Sequence, residues 1–143
     1  MTTASTGRRP DEVPTRTLDW GTIKWLVTPQ LDEGAGLTTG EVIVYPGHGH
    51  APHVHPNEEE VLYVISGEGE QTVGDGAPSF PIREGDAVYI PANVVHSTHN
   101  TTWRPLRLVV VYTPGGPETL LDGLPDVRIL DPGVAPLWTR SSG

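Results

Sequence analysis

The sequence predicts an all-β domain, a barrel or sandwich built from short antiparallel strands. Runs of four to nine residues rich in Val, Ile, Thr and Tyr recur along the chain, and Gly or Pro turn signals separate them at regular intervals. The 17 glycines and 15 prolines fit this reading, because the turns of such a fold consume both residue types. At 143 residues without internal repeats, the chain has the size of one domain.

Alternating polar and apolar residues define the individual strands, and clusters such as Gly67-Glu68-Gly69 and Gly74-Asp75-Gly76 define the turns between them. Residues 46–52 are expected to form a loop, and the only helix is expected after Pro117, at residues 118–121. The predicted strands are, in chain order, residues 22–28, 37–45, 60–65, 70–73, 79–83, 87–90, 96–100 and 106–112.

Three segments follow from these elements. Residues 1–17 are rich in Thr, Arg and Pro and have no periodic apolar face, which predicts a flexible N-terminal arm. Residues 18–116 contain all of the predicted strands and form the barrel. Residues 117–143 are expected to form a short C-terminal tail that packs on the barrel or is partly disordered.

Composition excludes several classes of function. The chain has no cysteine, so disulfides, Cys-ligated zinc and thiol nucleophiles are ruled out, and any metal must use His and carboxylate ligands. A net charge of −9 argues against nucleic acid and anionic membranes as partners. Because neither an apolar signal-peptide core nor a stretch of membrane-spanning length is present, we expect a cytoplasmic protein.

The most informative pattern is a spaced set of histidines and one carboxylate between two glycines, Gly47 and Gly67. His53 and His55 are two residues apart, so on an extended strand their side chains project from the same face. Glu60 begins the next apolar run and can close on the same ion. Of the three consecutive glutamates at 58–60, only Glu60 shares a strand face with the apolar residues at 62 and 64.

A second spaced block follows, in which a fourth ligand appears. It runs from Gly85 through Pro91, Asn93 and His96 to Asn100. His96 can add a third imidazole to the pair in the first block. The two blocks together predict a metal site formed by His53, His55, Glu60 and His96.

These two blocks resemble the paired motifs of the cupin superfamily, which are small antiparallel β-barrels of the jelly-roll type. The resemblance covers roughly residues 20–115. The first block matches at every signature position, whereas Asn93 in the second block stands where the family usually has glycine. Asn tolerates the left-handed backbone conformation better than other non-glycine residues. The resemblance implies a single-domain jelly-roll barrel with one mononuclear centre.

The ligand set suits one divalent transition metal ion per chain, and Fe, Mn, Ni, Cu, Co and Zn all accept it. Four protein ligands on a six-coordinate ion leave positions for a small oxygen-rich molecule. The resemblance therefore implies a metal-dependent enzyme of dioxygenase type or of Lewis-acid type, such as an isomerase, lyase or polyketide cyclase, with Glu60 as the catalytic base. The alternative is a non-catalytic protein that binds an organic acid or sugar through its metal.

Other polar and aromatic residues near the motifs have open roles. His48 and His50 do not share the two-residue register of His53 and His55, so we expect them in a polar loop at the barrel mouth. Contact with the substrate or binding of an alternative metal is the other possibility. His99 is expected to face away from the metal. An apolar lining of Leu62, Val64, and Val88 or Tyr89 is expected around the site. The aromatic residues that could line a pocket or form core are Trp25, Tyr63, Tyr89, Trp103 and Tyr112.

Two strands predict a homodimer. Residues 60–65 and 106–112 are apolar on both alternating faces, and such strands are usually buried on both sides. The barrel interior covers one face. We expect the sheet of a partner subunit to cover the other face, and exchange of the strand at residues 23–27 is one form that such a dimer takes. The competing explanation is that the C-terminal tail covers this face.

Overall fold

The computed structural model describes residues 7–136, which form antiparallel strands with one short α-helix and one 3-10 turn. The predicted all-β fold class is confirmed. The 3-10 turn is Pro10–Glu12 and the helix, α1, is Glu118–Asp122. The strands are β1 Thr15–Leu18, β2 Gly21–Val27, β3 Thr38–Val44, β4 Gly49–His53, β5 Glu59–Ser66, β6 Glu68–Val73, β7 Phe80–Arg83, β8 Ala87–Ile90, β9 His96–His99, β10 Leu106–Thr113 and β11 Arg128–Leu130.

The strands form two sheets that enclose the core. The larger sheet has the order β11-β1-β2-β3-β10-β5-β8, and the smaller has the order β4-β9-β6-β7. Burial alternates along β3, β5 and β10, as expected for strands with one face toward a common interior. Val44, Val64 and Leu106 from the larger sheet and Ile82 from the smaller sheet are each at most 2% exposed. This arrangement is a jelly-roll barrel.

The eight strands predicted from the sequence are all present, with ends displaced by no more than about two residues, which is the usual uncertainty of element boundaries. The predicted loop at residues 46–52 was partly wrong, because Gly49–His53 form β4. This strand pairs with β9, and His53 lies directly opposite His96. Gly, Ala and Pro in β4 carry no strand pattern of their own, so this strand depends on its partner and not on local alternation.

The described part of the predicted N-terminal arm is also ordered by long-range pairing. β1 lies between β2 and β11, and its residues Thr15 and Leu18 are buried. Arg16 donates two hydrogen bonds of 3.0 Å to the carboxylate of Asp122, which ties α1 to this edge of the larger sheet. Residues 10–17 therefore differ from the flexible arm expected at 1–17. Residues 1–6 and 137–143 lie outside the described part of the chain.

The predicted C-terminal tail also lies against the barrel over much of its described length. α1 packs through Leu121 against the core, and β11 completes the edge of the larger sheet. No helix within residues 7–136 combines the length and the apolar character needed to cross a membrane.

Candidate metal centre

Three different strands and one loop bring the four predicted ligands together. His53 ends β4, His55 follows two residues later, Glu60 lies on β5 and His96 begins β9. The alternation on β5 places Glu60 on the inner face, where it is 4% exposed, whereas Glu59 points outward. Strand parity thus places Glu60, and not Glu59, on the inner face of β5, as the sequence predicts.

The side chains of these residues converge closely. Ligand atoms of His53, His55 and His96 all lie within 4.8 Å of one another. The carboxylate of Glu60 joins this group from one side, with Oε1 at 3.1 Å from Nε2 of His96 and 3.6 Å from Nε2 of His55. The four residues predicted as metal ligands are thus neighbours in space.

The polar atoms at the centre of this cluster lie close to one another but form no well-oriented hydrogen bonds. Nε2 of His55, Nε2 of His96 and Oε1 of Glu60 are buried, and no described residue forms a hydrogen bond with them. Buried polar atoms are normally paired, so several unpaired atoms that face one point indicate a missing group. Imidazole nitrogens and a carboxylate oxygen are donors that a divalent transition metal accepts. The residues present therefore fit a metal ion.

Backbone carbonyls hold two of the imidazoles in the orientation that a metal requires. Nδ1 of His53 lies 2.8 Å from the carbonyl oxygen of Ala51, and Nδ1 of His96 lies 2.9 Å from that of Val94. Because a carbonyl only accepts, each Nδ1 carries the proton and donates it. Each Nε2 then keeps its lone pair, which is the arrangement typical of metal-ligating histidines.

The electrostatic environment keeps most of these imidazoles neutral. Burial lowers the pKa of His53 to about 2, and burial also lowers the pKa of His55. For His96, burial lowers the pKa, but the carboxylate of Glu60, 3.1 Å away, outweighs it, so that its pKa lies above the ordinary value. A proton on His96 and a metal ion thus compete for the same position next to Glu60.

A cavity of about 230 Å³ opens beside the four residues, and its walls are mainly apolar. Of the lining predicted from the sequence, Leu62 lines this cavity, whereas Val64 and Val88 lie in the core and Tyr89 is 56% exposed on the outer face. None of its lining residues is Lys or Arg. The cavity is lined by Trp20, Ile23, Trp25, Val42, Val44, His50, His53, Val54, His55, Glu60, Leu62, His96, Thr98, Leu108, Val110, Tyr112, Pro117, Leu120, Leu121 and Leu124.

Several lining residues have no signal in the sequence motifs. Trp20 comes from the turn between β1 and β2, and Leu120, Leu121 and Leu124 come from α1 and the turn after it. The apolar residues of the C-terminal tail were the one available hint. Among the predicted pocket aromatics, Trp25 and Tyr112 line the cavity, whereas Tyr63 and Trp103 are exposed.

The three remaining histidines have distinct positions. His50 is stacked between Trp20, at a ring centroid distance of 4.6 Å, and His53, at 3.7 Å. Burial, followed by the nearby imidazoles of His96 and His55, lowers the pKa of His50 to about 4. His48 is exposed, with Nδ1 at 3.0 Å from the carbonyl oxygen of Pro46. His99 is exposed and faces away from the cluster, in agreement with its strand position.

The remaining motif residues shape the backbone around the site. Asn93 is the one non-glycine residue within residues 7–136 with a positive φ, 62°, and its amide donates to the carbonyl oxygen of His55 at 2.8 Å. Asn100 is 1% exposed and donates through Nδ2 to the carbonyl oxygens of Val44 and Arg104. These contacts fix the backbone at His55 and the end of β9, the strand that begins with His96.

The fold and the site together define a class of small β-barrels with a histidine-rich cluster in the interior. The family model described as "Cupin domain" matches residues 40–112, a range that contains all four clustered residues. The chain belongs to this family, which confirms the resemblance seen in the two motifs.

Three relatives illustrate the range of the family. Protein SchB of Streptomyces halstedii is 33% identical over 108 residues, which cover 76% of this chain and 77% of SchB. Polyketide synthase CurC of Streptomyces cyaneus is 31% identical over 101 residues, or 71% of this chain and 64% of CurC. The structure of oxalate decarboxylase from Bacillus subtilis is 25% identical, with a TM-score of 0.63, over 74% of this chain and 32% of the decarboxylase.

Proposed function

We propose that this protein binds one divalent transition metal ion through His53, His55, Glu60 and His96, and that it is an enzyme for a small oxygen-rich organic molecule held at that ion. The observation that supports this most strongly is the set of buried, unpaired nitrogen and oxygen atoms that meet at one end of an apolar cavity. A purely structural cluster would satisfy each of these atoms with well-formed hydrogen bonds, whereas here three imidazoles and a carboxylate converge on one point without them. A metal ion would satisfy them and leave the cavity for a ligand.

The donor set is compatible with Fe, Mn, Ni, Cu, Co and Zn. One solved structure similar to this chain is that of Bacillus subtilis oxalate decarboxylase, a protein with Mn(II) centres. That likeness supports manganese as one candidate. The ligand types alone do not distinguish manganese from the other metals, because all of them accept imidazole and carboxylate.

The walls of the cavity favour a largely uncharged ligand. A divalent ion and the carboxylate of Glu60 together carry a net charge of about +1, so a dianion such as oxalate would keep one negative charge that no Lys or Arg in the lining could pair. Burying an unpaired charge is costly, so an apolar compound with one or two metal-binding oxygens fits this cavity better. The likeness to Polyketide synthase CurC supports the same choice.

A bound metal would supply Lewis-acid polarisation of a substrate oxygen or, for a redox metal, the activation of oxygen. Glu60 is the one carboxylate among the described residues that line the cavity, so it is the residue placed to take a proton from a ligand. Leu62, Leu108 and Val110 line the cavity and limit the access of water, which strengthens the electrostatic interactions at Glu60. We propose Glu60 as the catalytic residue on this basis.

Elemental analysis of protein purified without a chelating tag is the first test. We expect about one transition metal ion per chain, with iron, nickel or copper favouring oxygenase chemistry and zinc favouring the Lewis-acid type. Oxygen uptake and product analysis with enols, diketones and aromatic polyketides would then identify turnover. A ligand that binds the metal-loaded protein and stays unchanged, with and without oxygen, would establish the alternative of a non-catalytic binding protein.

We also propose a homodimer formed through the outer face of the larger sheet. Val61 and Tyr63 on β5 and Tyr89 on β8 are 40%, 48% and 56% exposed, and Val109 and Val111 of β10 lie between β5 and β3 on the same face. α1 and β11 lie elsewhere and leave these residues exposed. β2 pairs with β1 and β3 of its own chain, so strand exchange is not needed. A monomer near 15 kDa in sedimentation at micromolar concentration would rule out this dimer.

A further inference from the structure

The cavity beside the metal centre is bordered by a buried hydrogen-bond donor that no described residue uses. Trp25 on β2 lines the cavity and is 3% exposed. Its indole Nε1 has no hydrogen-bond partner within residues 7–136. An indole N–H can only donate, and buried Trp side chains usually place it against an acceptor. Trp25 therefore lacks an acceptor in a place where a ligand could provide one.

The ring of Trp25 is held in a defined position one aromatic ring away from the metal centre. Its edge packs against Tyr112 at a centroid distance of 6.2 Å, and Tyr112 packs against His55 at 5.1 Å. Trp25 also lies opposite Gly40, where an added Cβ would approach Cε3 of Trp25 to 2.7 Å. Because Gly40 has no side chain, the indole of Trp25 can occupy this space.

Two other buried polar side chains of the cavity wall, Thr98 and Tyr112, are already engaged. Thr98 donates its hydroxyl to Oε1 of Gln71 at 2.6 Å, and the pKa of Tyr112 is raised well above its usual range by burial and by Glu60. Among the described lining residues outside the metal cluster, Trp25 therefore carries the one buried side-chain donor without a hydrogen-bond partner.

We infer that Trp25 is a recognition residue, whose indole N–H donates to a second oxygen of the ligand. The ligand class that matches is a planar ring compound, uncharged or singly ionised, with a pair of metal-binding oxygens at one end and a carbonyl oxygen further along the ring system. This inference rests on the proposed function, because the metal centre is the first of the two anchors.

The test uses two probes on Zn(II)-loaded protein. Juglone, a hydroxynaphthoquinone, has a chelating hydroxyl–carbonyl pair and a distal carbonyl; the corresponding hydroxytetralone keeps the pair and lacks the distal carbonyl. We expect juglone alone to shift the indole N–H resonance of Trp25, identified by its loss in Trp25→Phe. Replacing Trp25 by benzothienylalanine, which exchanges N–H for sulfur at nearly constant shape, should weaken juglone binding about tenfold and leave the tetralone unchanged.

Several results would overturn the inference. If the benzothienylalanine variant lost the same affinity for both probes, the ring of Trp25 would matter only through its shape. If the Trp25 resonance did not shift in wild-type protein with juglone bound, the indole N–H would not be used. Zn(II)-loaded protein that binds neither probe would refute the ligand class while the metal site stands. Wild-type protein that holds no metal by elemental analysis would instead refute the proposed function, and the inference with it.

Discussion

Tyr112 on β10 lies directly opposite Glu60 on β5, so its phenol is on the same face of the sheet as the carboxylate of the metal centre. Burial raises the pKa of Tyr112 well above its ordinary value, and the charge of Glu60 and a hydrogen bond to its carboxylate contribute. Tyr112 therefore stays protonated and can orient Glu60. Residues that orient metal ligands in this way usually matter nearly as much as the ligands themselves.

We expect Tyr112→Phe to weaken metal binding by about 10- to 100-fold, because Glu60 loses the group that orients it. Competition with a metal-binding dye would measure this affinity. Tyr63→Phe is the matched control, since Tyr63 is 48% exposed on the outer face of the same sheet. Equal metal affinities for wild type and Tyr112→Phe would contradict a positioning role.

The double variant His53→Ala with His55→Ala should lose its metal at neutral pH, since two of the four donors are removed together. His99→Ala is the control, because His99 is an exposed histidine on β9 that faces away from the cluster. Elemental analysis of both proteins after gel filtration gives the answer. Full metal content in the double variant would show that the ligands have been misidentified.

Acid should destabilise the metal-free fold between about pH 6.5 and pH 4. Burial lowers the pKa of His50 to about 4 and that of His53 to about 2, so below pH 6.5 the unfolded chain binds protons that the folded chain does not. Stability present above pH 6.5 is therefore lost as the pH falls. His96 has a raised pKa, which stabilises the fold at low pH and offsets part of this loss.

Urea unfolding of metal-free protein at pH 7.5, 6 and 5 would measure this dependence. Metal occupancy should fall below about pH 6 in parallel, because an imidazole must be neutral to coordinate. A urea midpoint that does not change over this range would contradict the buried neutral state of His50 and His53.

Glu60→Gln should separate an enzyme from a binding protein. The substitution keeps the size of the side chain and removes both the negative charge and the base. If Glu60 transfers a proton, we expect turnover to fall about 10²- to 10⁴-fold while the ligand still binds. Rates compared at equal metal loading would show this, and an undiminished rate would exclude Glu60 as the base.

Gly67→Ala should destabilise the fold more than Gly76→Ala. Both glycines have a positive φ, 89° and 68°, so each substitution carries a strain of about 1–2 kcal/mol. At Gly67 the new Cβ would also approach the carbonyl oxygen of Pro105 to 2.4 Å, whereas nothing lies within 4 Å at Gly76. Urea denaturation of the two variants gives the free energy of unfolding of each. Equal losses of that free energy would show that the close approach at Gly67 relaxes without cost.

Local patterns in the sequence were enough to determine eight of the eleven strands within residues 7–136 and the side chains of β5 that point inward. The parity that places Glu60, Leu62 and Val64 on one face depends only on the two-residue period of a strand, and β5 shows that alternation. The spacing of the two motifs likewise selects His53, His55 and His96, and the fold brings these three together with Glu60. Even the left-handed backbone at Asn93 follows from its place in the motif.

The tertiary structure alone decided which distant segments meet. β4 has no strand pattern and depends on its pairing with β9, and β1 depends on β2 and β11, more than a hundred residues apart along the chain. The unpaired indole of Trp25, the stack of Trp20 on His50 and the leucines of α1 over the cavity were likewise invisible in the sequence. Periodicity reports the direction of a side chain within its own element, but it carries no information about which element packs against it.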